Sequence, residues 1–128
     1  MRSKIHKLIA FFITFILFSQ HINAFEIVGK ALKCDANKFP TRGYPFFFYF
    51  EDKNKFHSYY VLDKEIRYHD FNYSEISANI YDLSHIGFIN INELILTHSK
   101  YNTKCPCTLL DTNKEISLKL QSYINNGK

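Results

Sequence analysis

Residues 44–63 read YPFFFYFEDKNKFHSYYVLD, and the fold turns on how this stretch is placed. In an extended chain Phe46, Phe48 and Phe50 point to one side, Phe47 and Tyr49 to the other. A strand that is apolar on both sides must be covered on both, or lie where a sheet curls over itself. Pro45 has no N–H to give to a ladder, so it belongs at the start of the strand. Asp52-Lys53-Asn54-Lys55 then reads as a hairpin turn, with FHSYYVLD as the returning strand.

The same grammar continues outward. On the N-terminal side EIVGKALKCD (residues 26–35) alternates, placing Val28, Leu32 and Cys34 on one face, and ANKFPTRG (36–43) is a loop. On the other side Asp63-Lys64 turns into EIRYHDF (65–71). EISANIYDL (75–83), HIGFINI (85–91) and ELILTH (93–98) follow as further short strands. Parallel strands would need crossovers of a dozen or more residues, so the tight turns predict an antiparallel meander. The period changes after Thr112. Thr112 and Glu115 fit a capping box, Ile116, Leu120, Tyr123 and Ile124 share a helical face, and Gly127 is a reasonable stop. The expected fold is mainly β: six or seven strands, strongly curved or partly barrelled, with one C-terminal helix over about 112–125 packed on them.

The N-terminus has the layout of a secretory signal peptide. Arg2, Lys4 and Lys7 precede the apolar run LIAFFITFILF (8–18), and the polar stretch SQHINA ends at Ala24, the expected cleavage point. Eleven apolar residues make a helix of only about 16 Å, against about 30 Å of bilayer hydrocarbon, so no stable membrane anchor is expected after cleavage. The chain carries 16 basic and 12 acidic residues. Cleavage removes three basic residues and no acid, leaving 13 against 12. A mature domain, residues 25–128, at +1 has no general electrostatic reason to bind nucleic acid. Its Lys, Asn and Ile bias follows from AT-rich coding.

Three cysteines, Cys34, Cys105 and Cys107, admit three chemistries. Structural zinc needs four thiolate or imidazole ligands, and His57, His69, His85 and His98 form no HxH or HxxxH pair, so no metal is expected. A redox pair would be Cys-x-x-Cys at a helix start, whereas KCPCTL (104–109) has the wrong spacing beside a strand end. A disulfide from Cys34 to the tail is the favoured reading in an exported domain. Cys107 shares a face with Leu109, expected to be core-directed, which points to Cys107 as the partner. Cys105 shares that face too and stays open as the alternative, although its place beside Lys104 predicts greater exposure.

No other constellation carries chemistry. His69 and Asp70, adjacent in a strand, point to opposite faces. Asp82, Ser84 and His85 lack a nucleophile elbow, Gly29 and Gly43 form no phosphate loop, and Asn72-Tyr73-Ser74 is a formal glycosylation sequon. No catalytic residue and no cofactor is assigned.

The signal peptide, Leu32-Lys33-Cys34, FFFYFED, the hairpin into YYVLD, NINELIL (90–96) and Cys107-Thr108-Leu109 occur in a recurring order. Together they make a chain that resembles the small exported β-rich proteins of AT-rich marine alphaproteobacteria, over most of residues 25–125. The resemblance implies a bacterial, periplasmic setting and favours Cys107 as the paired cysteine; it brings no activity. The expected function is a non-enzymatic secreted or periplasmic β-domain that binds a small apolar ligand or a partner protein. The alternatives are a secreted inhibitor of a cell-wall enzyme, or a thiol-redox protein using Cys105.

Overall fold

The double-faced strand is the middle of a curl. In the computed structural model, which describes residues 26–36 and 43–127, Phe48 and Phe50 are fully buried on one side and Phe47 on the other. The expected signal segment and its expected cleavage point at Ala24 lie outside the described residues. Among the described residues, nine strands form one antiparallel sheet: β1 (Ala31–Cys34), β2 (Phe46–Phe50), β3 (Lys55–Leu62), β4 (Glu65–Asn72), β5 (Ser74–Ser77), β6 (Ile80–Asp82), β7 (Gly87–Asn90), β8 (Ile95–His98) and β9 (Thr103–Leu110). Their spatial order is β4-β3-β2-β1-β9-β8-β7-β6-β5. Two meanders, β1 to β4 and β5 to β9, thus meet where the first strand pairs with the last, and the sheet curls into a half-barrel.

The concave face gathers the larger core: Leu32, Cys34, Phe48, Phe50 and Phe56 from one arm, Tyr81, Leu83, Ile89, Leu96 and Cys105 from the other. The convex face of β1–β4 carries a second core of Ala31, Phe47, Tyr59 and Leu110, covered by Ile116 and Leu120 of the helix α1 (Asn113–Gly127). The helix packs on β1, β4 and β9. It begins directly after Thr112, whose carbonyl accepts the Glu115 N–H at 3.2 Å.

Nine strands, not six or seven, result from two local facts. EISANIYDL is two strands, because Asn79 takes φ 64° and lets the chain reverse between Ser77 and Ile80; asparagine tolerates that left-handed geometry. KCPCTL is the centre of a full strand. Residues 103–106 of β9 pair with β8 and residues 107–110 with β1. Pro106 sits at the changeover. The Cys107 N–H donates to the Leu94 carbonyl on the β8 side (2.7 Å), so Pro106, one residue back, turns its nitrogen toward β1, where β1 has just ended. Its carbonyl still accepts from Asp35 N–H at 2.8 Å. A proline there costs the ladder little.

Cys34 stands directly opposite Cys107, and the two are disulfide-bonded with Cα atoms 4.0 Å apart. Because the Cys107 N–H points away from β1, this is a non-hydrogen-bonded pair, the closer of the two antiparallel spacings. Two expectations about this strand need correction. Cys105 is 2 % exposed, since it faces the concave core. Leu109 is 40 % exposed while Leu110, on the opposite face, is buried beneath the helix.

Gly87 opens β7 at φ 142°, and a Cβ there would lie 2.0 Å from the Thr97 carbonyl oxygen and 3.0 Å from Ser99 N. Those neighbours are backbone of the β7–β8 ladder and cannot step aside. Gly87→Ala should therefore lower the denaturant-unfolding free energy by roughly 2–4 kcal/mol; a midpoint within error of wild type would contradict this packing.

Candidate functional site

Among the described residues, a cleft lies near each end of the curl and a polar cluster sits on its back. Along β2, Phe46 lines the first cleft, while Phe50, about 13 Å further on at ~3.3 Å per residue, touches Tyr73 at the second (5.0 Å between ring centroids).

The first cleft holds about 310 Å³. Its walls are Phe46 and Tyr60 from β2 and β3, His69 and Phe71 from β4, and His85, Ile86 and His98 from the facing arm. Each histidine is set against an aromatic ring: His69 stacks on Tyr60 (4.5 Å, 14°), His85 meets Phe71 edge-on (4.7 Å, 73°), and His98 stacks on Phe46 (5.3 Å, 26°). Strand parity brings them together. His69 and Phe71 share the concave side of β4, and residues 85 and 98 bracket the β7–β8 pair. The His98 Nδ1 also accepts the Lys100 N–H at 3.1 Å, which fixes its ring. Three of the four histidines among the described residues thus line one apolar hollow, a convergence no linear spacing announces.

The second cleft, of about 440 Å³, is bordered by Glu26, Ile27, Lys53, Tyr73, Glu75 and Tyr81. Tyr73 sits at the corner between β4 and β5. Its N–H donates to the Asn54 carbonyl (2.8 Å) and its hydroxyl to the Asp52 carbonyl, so the corner is tied to the β2–β3 turn. The turn is itself held by Asp52, whose Oδ1 accepts from the Asn54 and Lys55 N–H groups, both at 2.8 Å; these bonds keep its carboxyl below the usual carboxylate range. Burial pushes the Tyr73 phenol up to about 12, with Tyr81, Asp52 and Glu26 adding to the effect. Burial likewise raises Tyr81, which hydrogen-bonds Glu75.

The polar cluster lies on the convex face. His57 and Asp70 are directly opposite in the β3–β4 ladder, and Glu51 follows β2 alongside. His57 Nε2 is 2.9 Å from Glu51 Oε2 and 3.0 Å from Asp70 Oδ1. The ring stacks on Tyr68 (4.1 Å, 11°) with Tyr49 edge-on, and its Nδ1 is buried with no hydrogen-bond partner. One Nε2 proton serves one carboxylate well. A doubly protonated ring still offers a single Nε2–H to the two carboxylates and adds a buried Nδ1–H with no acceptor, a cost of about 1–3 kcal/mol. The carboxylates are 50 % and 56 % exposed, and ion pairs of that kind contribute about 0–1 kcal/mol. Neither proton arrangement satisfies the cluster.

The pairing was missed because His69, not His57, precedes Asp70 in sequence. The two-residue turn at Asp63-Lys64 held the signal: with Leu62 opposite Glu65, residue 57 must face residue 70. Ser84 N–H donates to Asp82 Oδ1 (2.9 Å) and its hydroxyl to the Asn72 carbonyl (2.8 Å), which holds Asp82 and Ser84 in a turn.

No protein-family model, no curated protein and no solved structure matches this chain. Among the described residues no helix is long and apolar enough to cross a membrane.

The raised Tyr73 phenol has a consequence for stability. Above an unfolded pKa near 10 the denatured chain loses this proton while the native chain keeps it until about 12, so stability is full below pH 10 and falls as pH rises through that window. Tyr73→Phe should flatten the fall between pH 10 and 12 in denaturant melts; a wild-type slope in the variant would refute the assignment.

Proposed function

We propose that the chain is an exported, non-catalytic binding domain that takes a small, flat, largely apolar molecule into the histidine-walled cleft of its concave face. The observation that carries this reading is the cleft itself. The core is packed by Phe48, Phe50, Phe56 and Leu96, yet at one end the aromatic lining remains accessible with three imidazoles around it. Its volume falls at the lower end of the ~300–1,000 Å³ typical of ligand pockets, and an apolar wall with a few convergent polar groups is their usual make-up. Flat rings pack against the exposed imidazoles of His69 and His85, which the aromatic rings behind them hold in place, and the histidines supply hydrogen bonds that fix orientation. The Cys34–Cys107 disulfide supports an oxidising compartment such as the periplasm. The thiol-redox alternative asks for an accessible, low-pKa cysteine; Cys105 is buried among apolar groups, which favours the binding reading.

Fluorescence titration with anilinonaphthalene sulfonate tests this. The native protein should bind the dye saturably at one site. Ser58→Trp, at a β3 residue that lines the cleft opposite Phe48, should weaken binding by about tenfold or more, roughly 1.4 kcal/mol, with far-ultraviolet circular dichroism unchanged. Dye binding that never saturates, or that Ser58→Trp leaves intact, would count against the cleft as a ligand site.

A further inference from the structure

We propose that Glu51, His57 and Asp70 form a binding site for a divalent first-row transition ion, such as Mn²⁺ or Zn²⁺, on the convex face of the sheet and separate from the cleft. Their ligating atoms lie within 4.8 Å of one another. His57 Nε2 stands 2.9 and 3.0 Å from the two carboxylate oxygens, so an ion on the open side of the cluster reaches all three donors after small rotations of the exposed carboxylates.

The histidine makes this more than an acidic patch. His57 is 9 % exposed, is clamped by the Tyr68 ring, and directs Nε2 between the two carboxylates. A buried polar ring is costly unless something uses it. The internal hydrogen bonds do so poorly: one Nε2 proton is shared between two acids. A divalent ion on Nε2 draws both carboxylates to itself and offsets their mutual repulsion. Nδ1 then carries the ring proton without an acceptor, a cost the protonated ring would also bear but with only exposed ion pairs against it.

The donor set defines the ion class. One imidazole and two carboxylates suit Mn²⁺, Fe²⁺, Co²⁺ or Zn²⁺ better than Ca²⁺ or Mg²⁺, which prefer all-oxygen shells. All three residues sit on or beside strands of one hairpin and its neighbour, so the site is built by the rigid ladder. Its outer side is open, leaving the remaining coordination positions to water.

Titration calorimetry on the chelator-treated protein with MnCl₂ and with ZnCl₂ tests the site. At least one of the two ions should bind at one per chain. Asp70→Asn and Glu51→Gln should each weaken it tenfold or more with circular dichroism unchanged, while a His69→Ala/His98→Ala double variant should keep wild-type affinity. The same ion should raise the melting temperature of the wild type and not that of the Glu51→Gln/Asp70→Asn variant. The proposal is overturned if neither ion binds saturably to the folded protein at millimolar concentration. It is equally overturned if the affinity survives Asp70→Asn, or is lost only with His69 and His98.

Discussion

The pairing of β1 with β9 is the constraint on which the molecule depends. Remove it, and what remains is a four-stranded and a five-stranded meander, each with an apolar face and no partner. The pairing places the first and last strands side by side in the middle of the sheet, so every other strand is added outward from this seam. The cystine crosses it at a directly opposed pair, closing a span of 73 residues. In the chain-entropy account, whose mechanism is debated, such a closure contributes roughly 4 kcal/mol. That is a large part of the ~5–15 kcal/mol by which domains of this size are stable.

From the seam the two faces take different duties. The concave side is filled by phenylalanines along most of its length and gives way to clefts toward its two ends. The convex side needs α1 over β1 and β9, because Phe47 and Leu110 would otherwise face water. Beyond the helix, the same side of β2, β3 and β4 is left to Tyr49, His57, Tyr68 and Asp70. Ligand chemistry therefore divides between an apolar hollow on one face and a polar cluster on the other, with β3 contributing to both: Tyr60 inward, His57 outward.

Much of this was legible in the chain. The turn at Asp63-Lys64 and the FFFYF strand carry their signals locally, and the apolar spacing of Ile116 and Leu120 gives the helix its buried side. The pairing of Cys34 with Cys107, favoured by a soft face argument and by the resemblance, is the pairing found. What could not be read depended on partners remote in sequence. A proline between two cysteines looks like a strand end, and only the change of neighbour at Pro106 makes it a strand interior. Cys105 seemed exposed beside Lys104, because alternation across a strand matters more than proximity to a charge. The histidines were weighed by linear motif, whereas antiparallel register joins residue 57 to 70 and the curl joins 69, 85 and 98.

Native-state hydrogen exchange, followed amide by amide with the disulfide intact and after reduction, tests the seam most directly. If β1 and β9 hold both meanders as one sheet, their central amides, Lys33 and Thr108 among them, exchange only through global opening. Reduction should then lower protection across both meanders together by about a thousandfold, the equivalent of the ~4 kcal/mol above. Unchanged protection in the reduced protein, or loss confined to one meander, would contradict the account.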